Sequence, residues 1–161
     1  MMPDSPVEAV LRKRFARIQI LESCSERGEE RLLVRRRNLV EALQFLHQDA
    51  DTQLDMLVDV TAIQHMRAKT SCVFEHELET PYFEVCYALR STRLQYRLRV
   101  SVMIPQEMAS LPSIVGIYPN ANWLEREVWD LFGIFIEGHP DLRRILMSES
   151  FEGHPLRKDY E

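Results

Sequence analysis

Hydrophobic positions recur along this chain with two different periods. Leu94, Tyr96, Leu98, Val100 and Val102 alternate with Gln95, Arg97, Arg99 and Ser101, the period-two pattern of a strand with one buried and one polar face. Phe83, Val85, Tyr87 and Leu89 share one face of a preceding strand, and the link Arg90-Ser91-Thr92-Arg93 is short enough for a hairpin. Two further short strands fit Ile18 with Ile20 and, beyond a turn around Gly28, Leu32-Leu33-Val34; another fits Met56–Ile63.

Helical spacing appears in three places. Ser5-Pro6-Val7-Glu8 combines a capping box with Pro at the first helical position, and Val7, Val10, Leu11, Phe15 and Ile18 follow it, predicting a helix over roughly 6–16. Asn38 is placed to cap a second helix, in which Leu39, Ala42, Leu43 and Leu46 share a face. A third is predicted from Asn122 as N-cap, with Glu125 completing the box, Leu124, Val128, Leu131 and Phe132 as the apolar face, and Gly133 as the stop. From Ile134 onward no helical or strand period is visible. Strands grouped in sequence with helices between the groups predict an α+β fold, a small mixed or antiparallel sheet with helices packed on one face. The expected division is a core domain over 1–133 and an extended C-terminal arm over 134–161.

Composition narrows the function classes. The 161 residues suit one ordinary domain, and no apolar run approaches the ~18 residues of a membrane span. The first residues carry no basic stretch followed by an apolar one, so no secretory signal is expected. A net charge of -5 argues against a nucleic-acid partner. Cys24, Cys72 and Cys86 form no short pair, so neither an iron–sulfur cluster nor structural zinc is expected, and reduced cysteines are.

The catalytic fingerprints for dinucleotides, P-loop phosphates, zincin metals and nucleophile elbows are all missing. His65, Cys72 and His76 lack the tight spacing of a zinc site. Glu125, Glu127 and Asp130 crowd the third helix together with Arg126. Read one way they are a solvated face with an Arg126–Asp130 pair; read another, paired carboxylates of an independent small enzyme working as acid and base. Trp123 and Trp129 flank these charges, and Trp with Arg at one patch is the compositional mark of a protein interface.

The last residues sharpen that point. Leu142, Ile145, Leu146, Met147, Phe151, Leu156 and Tyr160 occur without periodicity among Arg143, Arg144, Arg157, Lys158 and Asp159, and Gly-His-Pro occurs twice, around His139 and His154. Irregular chain does not shelter such side chains by itself. Either the tail wraps its own domain or it lies on a partner.

Three stretches carry a family resemblance: Ala121 to Ile134 (ANWLEREVWDLFGI), Gly138 to Leu146 (GHPDLRRIL) and Glu152 to Tyr160 (EGHPLRKDY). They resemble the C subunit of the proton-pumping NADH–quinone oxidoreductase, respiratory complex I. The likeness covers Pro112–Tyr160 and extends to Leu54–Ala62 and Phe83–Pro105; Ser148 stands where the family usually has Pro, and Phe151 where it has Trp or Tyr.

The resemblance implies a non-catalytic subunit of the peripheral arm, held through its complex on the cytoplasmic face of a bacterial inner membrane. Electrons would pass from NADH to quinone through FMN and iron–sulfur clusters in partner subunits, with no cofactor in this chain. Its partners would be the D subunit, which helps form the quinone pocket, and the subunit carrying the terminal cluster. A related membrane hydrogenase contains a homologous domain and is the alternative parent complex.

With that implication, Glu125, Arg126, Glu127 and Asp130, beside Trp123, would hold the start of the arm. Arg143, Arg157, Lys158 and Asp159 would make charge-assisted bonds across the interface, Ile145, Leu146, Phe151 and Leu156 would fill its pockets, and His139 and His154 belong to the same surface.

Overall fold

The computed structural model describes residues 20–26, 29–66 and 81–160. In chain order these form β1 (Ile20–Glu26), β2 (Glu29–Val34), α1 (Leu39–Gln48), β3 (Met56–His65), β4 (Tyr82–Ser91), β5 (Tyr96–Pro105), β6 (Ser110–Pro112), α2 (Ala121–Phe132) and β7 (Phe135–Glu137). The helix expected over 6–16, together with Ile18 and Gly28, lies outside the described residues. Five strands make one mixed sheet in the order β1-β2-β5-β4-β3. Within it only the β2–β5 pairing is parallel.

The alternating pattern of β4 and β5 becomes the inner face. Phe83, Val85, Tyr87 and Leu89 lie beside Leu98, Val100, Val102 and Ile104, all buried, and in one cluster with Leu39, Leu43 and Leu46 of α1 and Val128, Leu131 and Phe132 of α2. Both helices therefore cover this face, as the sequence predicts.

The hairpin differs in its turn. β4 runs on to Ser91, which pairs with Tyr96; the reversal is made by residues 92–95 and Leu94 sits exposed in it. Asp55 explains the shift, accepting from Thr92 N at 2.8 Å, while Ser91 Oγ accepts from Leu94 N at 3.1 Å. These side-chain acceptors fix the turn ahead of Leu94.

The second face of the sheet is not uniformly polar and wet. Ser101, expected on the solvated side, is fully buried. It donates to Glu84 Oε1 at 3.0 Å, and Glu84 also accepts from Arg31 Nη2 at 2.6 Å and meets His65 Nε2 at 3.2 Å. Burial pushes the Glu84 carboxyl up, but the Arg31 charge and these hydrogen bonds outweigh it and hold the carboxyl below its usual range. Burial, reinforced by Glu84, pushes the Cys86 thiol up to about 11, which leaves it a poor nucleophile. His65 stacks on Tyr82 at 4.8 Å; Cys72 and His76, its suggested metal partners, lie outside the described residues.

Two short elements were invisible to periodicity. β6 and β7 pair in parallel, Ser110 with Phe135 and Pro112 with Glu137, and Arg36 ties them to the domain by donating to Ser110 O at 2.7 Å and Glu137 Oε1 at 2.5 Å. Three-residue strands carry too few positions to show a period. Residues 135–137 thus return to the domain as a strand, and the irregular run begins at Gly138.

Candidate functional site

Helix α2 is the element to which the arm is fastened. It begins at Ala121, two residues earlier than the sequence suggests, with Asn120 and not Asn122 as N-cap; Asn120 makes no side-chain cap bond, and Glu125 does not complete a capping box. Asn120 Nδ2 donates instead to Leu57 O at 2.8 Å, joining the helix start to β3. Glu125 is turned inward, accepting from Ser113 Oγ and from Ile114 N, both at 2.7 Å. It therefore holds the loop after β6, a contact distant in sequence that outcompetes the local capping box. Burial pushes its carboxyl above the usual range, against the hydrogen bonds from Ile114 and Ser113.

His139 closes the same end of the helix. Its Nδ1 accepts from Asp141 N at 3.0 Å, so the ring proton sits on Nε2, which donates to Asn122 O at 3.1 Å and lies 3.9 Å from Glu125 Oε2. The first Gly-His-Pro thereby docks the start of the arm on the first turn of α2.

The middle of the arm is gathered by Asp130. This side chain is fully buried. One oxygen, Oδ2, accepts from three successive backbone N–H groups, Ile145 at 3.0 Å, Leu146 at 2.8 Å and Met147 at 2.9 Å. The other, Oδ1, takes Arg144 Nη1 at 2.6 Å. Successive N–H groups converging on one anion form a backbone nest, here filled by the protein's own carboxylate. Burial raises this carboxyl's affinity for a proton, but the bonds from Met147, Arg144, Ile145 and Leu146 together reverse the balance and hold it below the usual range.

Arginines complete the fastening from both sides. Arg126 Nε and Nη2 donate to the carbonyls of Arg143 and Arg144 at 3.0 and 3.1 Å, with its guanidinium 5.3 Å from the Trp123 ring. Arg144 reaches on to Gly153 O at 2.9 Å and lies between the rings of Trp129 and Phe151, 5.9 and 5.7 Å away. Arg126 and Asp130 thus serve the arm separately and not as the pair that their spacing suggests.

The returning arm satisfies the C-terminal end of α2. A helix leaves its last carbonyls without intrahelical partners. Here Gly133 N takes Trp129 O, His154 Nδ1 takes Asp130 O at 2.9 Å and Leu156 N takes Leu131 O at 3.0 Å. Gly133 is in the left-handed region (φ 74°), and a Cβ on it would stand 2.5 Å from His154 Cδ2. The stop residue and the second Gly-His-Pro are therefore matched to each other.

The last residues end on β3. Gln64, buried, accepts from Lys158 N at 2.5 Å and donates to Asp159 Oδ1 at 3.0 Å, while Gln106 Nε2 donates to Asp159 Oδ2 at 3.0 Å. The Gln64 bond, with help from Arg157 Nε at 3.2 Å, holds the Asp159 carboxyl down to about 2.

Of the surface residues expected from sequence, Glu125, Arg126, Asp130 and His139 are turned inward and fasten this chain's own segments. Arg143 pairs with Asp141 at 2.8 Å, and Arg157 and Asp159 pair within the arm at 3.2 Å. Glu127 is exposed and makes no hydrogen bond or ion pair among the described residues, so it does not hold the arm. Phe151 is half-buried and stacks on Tyr160; Ile145 is half-buried. Beside charged groups such as Glu127, Arg143 and Lys158, large apolar side chains face outward: Trp123 is 61% exposed, Leu146 57%, Leu156 52% and Tyr160 42%. Arg144, Gln64 and Gln106 are the fastening residues that sequence reading did not single out. For Arg144 the only signal is its place within the GHPDLRRIL stretch, and for the glutamines there is none.

Comparison with known proteins adds a family to this geometry. Residues 32–161 match the family described as respiratory-chain NADH dehydrogenase, 30 kDa subunit. A relative from Trichlorobacter lovleyi, named as the C subunit of NADH-quinone oxidoreductase, is 41% identical over 88% of this chain and 80% of its own length. A Methylococcus capsulatus protein, named as a combined C/D subunit of NADH-quinone oxidoreductase, is 36% identical over 92% of this chain, which corresponds to 24% of that longer protein. Among solved structures, a trypsin-resistant fragment of Nqo5 superposes with a TM-score of 0.63 at 29% identity, over 84% of this chain and 98% of the fragment.

Proposed function

Because the chain belongs to the family of the 30 kDa subunit of respiratory-chain NADH dehydrogenase, we propose that it is a non-catalytic peripheral-arm subunit of an NADH–quinone oxidoreductase. Electrons then travel from NADH through the FMN and iron–sulfur clusters of partner subunits to quinone, coupled to proton translocation. The chain's own part is to scaffold the quinone-site and terminal-cluster subunits. It sits on the cytoplasmic side of a bacterial inner membrane, reached through the complex.

One observation carries the docking surface. The arm's backbone is pinned by Arg126, Asp130, the end of α2 and Gln64, yet Leu146, Leu156 and Tyr160 remain 42–57% exposed, and Trp123, beside Arg126 on α2, is exposed as well. Large apolar groups fixed outward on an ordered backbone suit a partner with pockets for them. The D subunit is the partner this favours, since the Methylococcus capsulatus relative is named for the C and D subunits together.

The chemistry of α2 fits a scaffold and not an active site. Glu125 faces Ser113 and Ile114, Asp130 faces the arm, and Glu127 is exposed, so these carboxylates do not converge as acid and base.

The test is a Leu146→Ser, Leu156→Ser chain. Its anchors are untouched, so it melts like the parent, while its co-purification with the D subunit falls by about tenfold or more. Undiminished assembly would remove the arm from the interface.

A further inference from the structure

Resting on the docking of the arm described above, we infer that Tyr160 and Glu152 form a receptor for an arginine side chain of the D subunit.

The ring of Tyr160 is held from several directions. It stacks on Phe151, with ring centroids 6.1 Å apart and planes inclined by 23°. Gly153 lies against its edge: at φ 86°, a Cβ there would stand 2.6 Å from Tyr160 Cε2. Tyr160 N donates to Arg157 O at 3.3 Å, and the preceding Asp159 is clasped by Gln64 and Gln106. The residue is nevertheless 42% exposed. An aromatic ring packed on one side and open on the other has little side-chain freedom left to lose on contact.

The neighbouring rings show what it takes. Arg126 sits over Trp123 at 5.3 Å, and Arg144 lies 5.9 Å from Trp129 and 5.7 Å from Phe151. Of the rings on α2 and the arm that reach solvent, these three each carry a guanidinium of their own chain. Tyr160 is the fourth, and among the described residues no cation stands over it. Arg157, three residues before it, is engaged by Phe83 at 5.7 Å and Asp159 at 3.2 Å. Lys158 is exposed and makes no ring contact or ion pair among the described residues.

Charge selects the ligand. Glu152 stands between Phe151 and Gly153, the two residues packed on the ring, and is exposed with no hydrogen bond or ion pair among the described residues. Glu149 is in the same condition, and the chain as a whole carries a net charge of -5. A carboxylate or phosphate is repelled here, and an aliphatic side chain leaves both carboxylates unanswered. A planar guanidinium stacks on the ring and forks onto a carboxylate together, which a lysine ammonium does not.

Binding of the full chain to the D subunit is measured at low and high salt. Tyr160→Leu and Glu152→Gln are each expected to weaken it about fivefold at unchanged melting temperature, while Tyr160→Phe, which keeps the ring, stays within about twofold of the parent. Glu152→Gln should also flatten the salt dependence. In the isolated full chain, methylguanidinium is expected to shift the Tyr160 ring resonances, and its neutral isostere methylurea to leave them in place. Undiminished binding by Tyr160→Leu or Glu152→Gln, a loss in Tyr160→Phe equal to that in Tyr160→Leu, or equal responses to the two small molecules would each overturn the receptor. If the Leu146→Ser, Leu156→Ser chain loses the D subunit while these variants keep it, the arm docks without the receptor. A parent chain that does not bind the D subunit overturns both readings.

Discussion

Where α1 and α2 meet the sheet, the contact is made by Leu39, Leu43, Leu46, Val128, Leu131 and Phe132 against the inner faces of β4 and β5. Where the arm meets α2, the contact is made by a carboxylate, two guanidinium groups, two histidines and backbone amides. The first region is held by removing hydrocarbon from water, which is non-directional. The second is held by hydrogen bonds to groups that are themselves buried or half-buried, which fixes the path of the backbone residue by residue. The arm packs Leu142 and Met147 against the core, so the lesson is that irregular chain need not bury all of its apolar side chains to be ordered. A polar floor can hold the main chain and leave Leu146 and Leu156 facing out.

The largest test of that contrast is Asp130→Ala. It strips the acceptor from three N–H groups and from Arg144, and removing one partner of a buried pair costs about 4 kcal/mol. Limited trypsin digestion should then cut within Arg143–Arg144 rapidly, while the sheet retains its protection. Simultaneous loss of core protection would show that the two regions are not separate. Leu43→Ala is the converse experiment, expected to lower global stability by about 3 kcal/mol in denaturant while the arm stays fastened in the folded fraction.

Gly133→Ala probes the joint between the regions. A Cβ at φ 74° and 2.5 Å from His154 Cδ2 displaces the second Gly-His-Pro, at a cost of about 1–2 kcal/mol. Amide exchange should speed at Leu156 and leave Val100 unchanged.

The smallest effect is in pH, and it has opposite signs at the two carboxylates of α2. Asp130 is lowered in the folded chain, so its contribution is complete above the ordinary carboxylate range and is lost as pH falls through its own lower value. Glu125 is raised, so stability declines as pH climbs from the ordinary range through its higher value. Glu125→Gln should flatten stability above about pH 4.5 and leave the acid limb intact; a melt series against pH reads both limbs.

Period-two alternation located β4 and β5 because one face of each meets a continuous apolar core. The same rule misread Ser101, whose face is buried by the network around Glu84, since alternation reports polarity and not coverage. Around α2, the residue types were legible and their directions were not. Glu125 in a capping-box position and Arg126 four residues before Asp130 are local patterns, but their partners lie at Ser113, Arg143 and Ile145. No local signal reports which of two acceptable partners a side chain takes. Gln64 is the extreme case, a strand residue holding Lys158 and Asp159, 94 and 95 positions away.

The nest around Asp130 has one more consequence. A flexible tail that folds on its target gives up roughly 1–2 kcal/mol of backbone freedom per residue at the moment of association. Here that entropy is surrendered during the chain's own folding, before any encounter. On the docking proposed above, a neighbouring subunit would meet a rigid template, and the contact of Leu146 and Leu156 would go into affinity instead of into taming a loose strand.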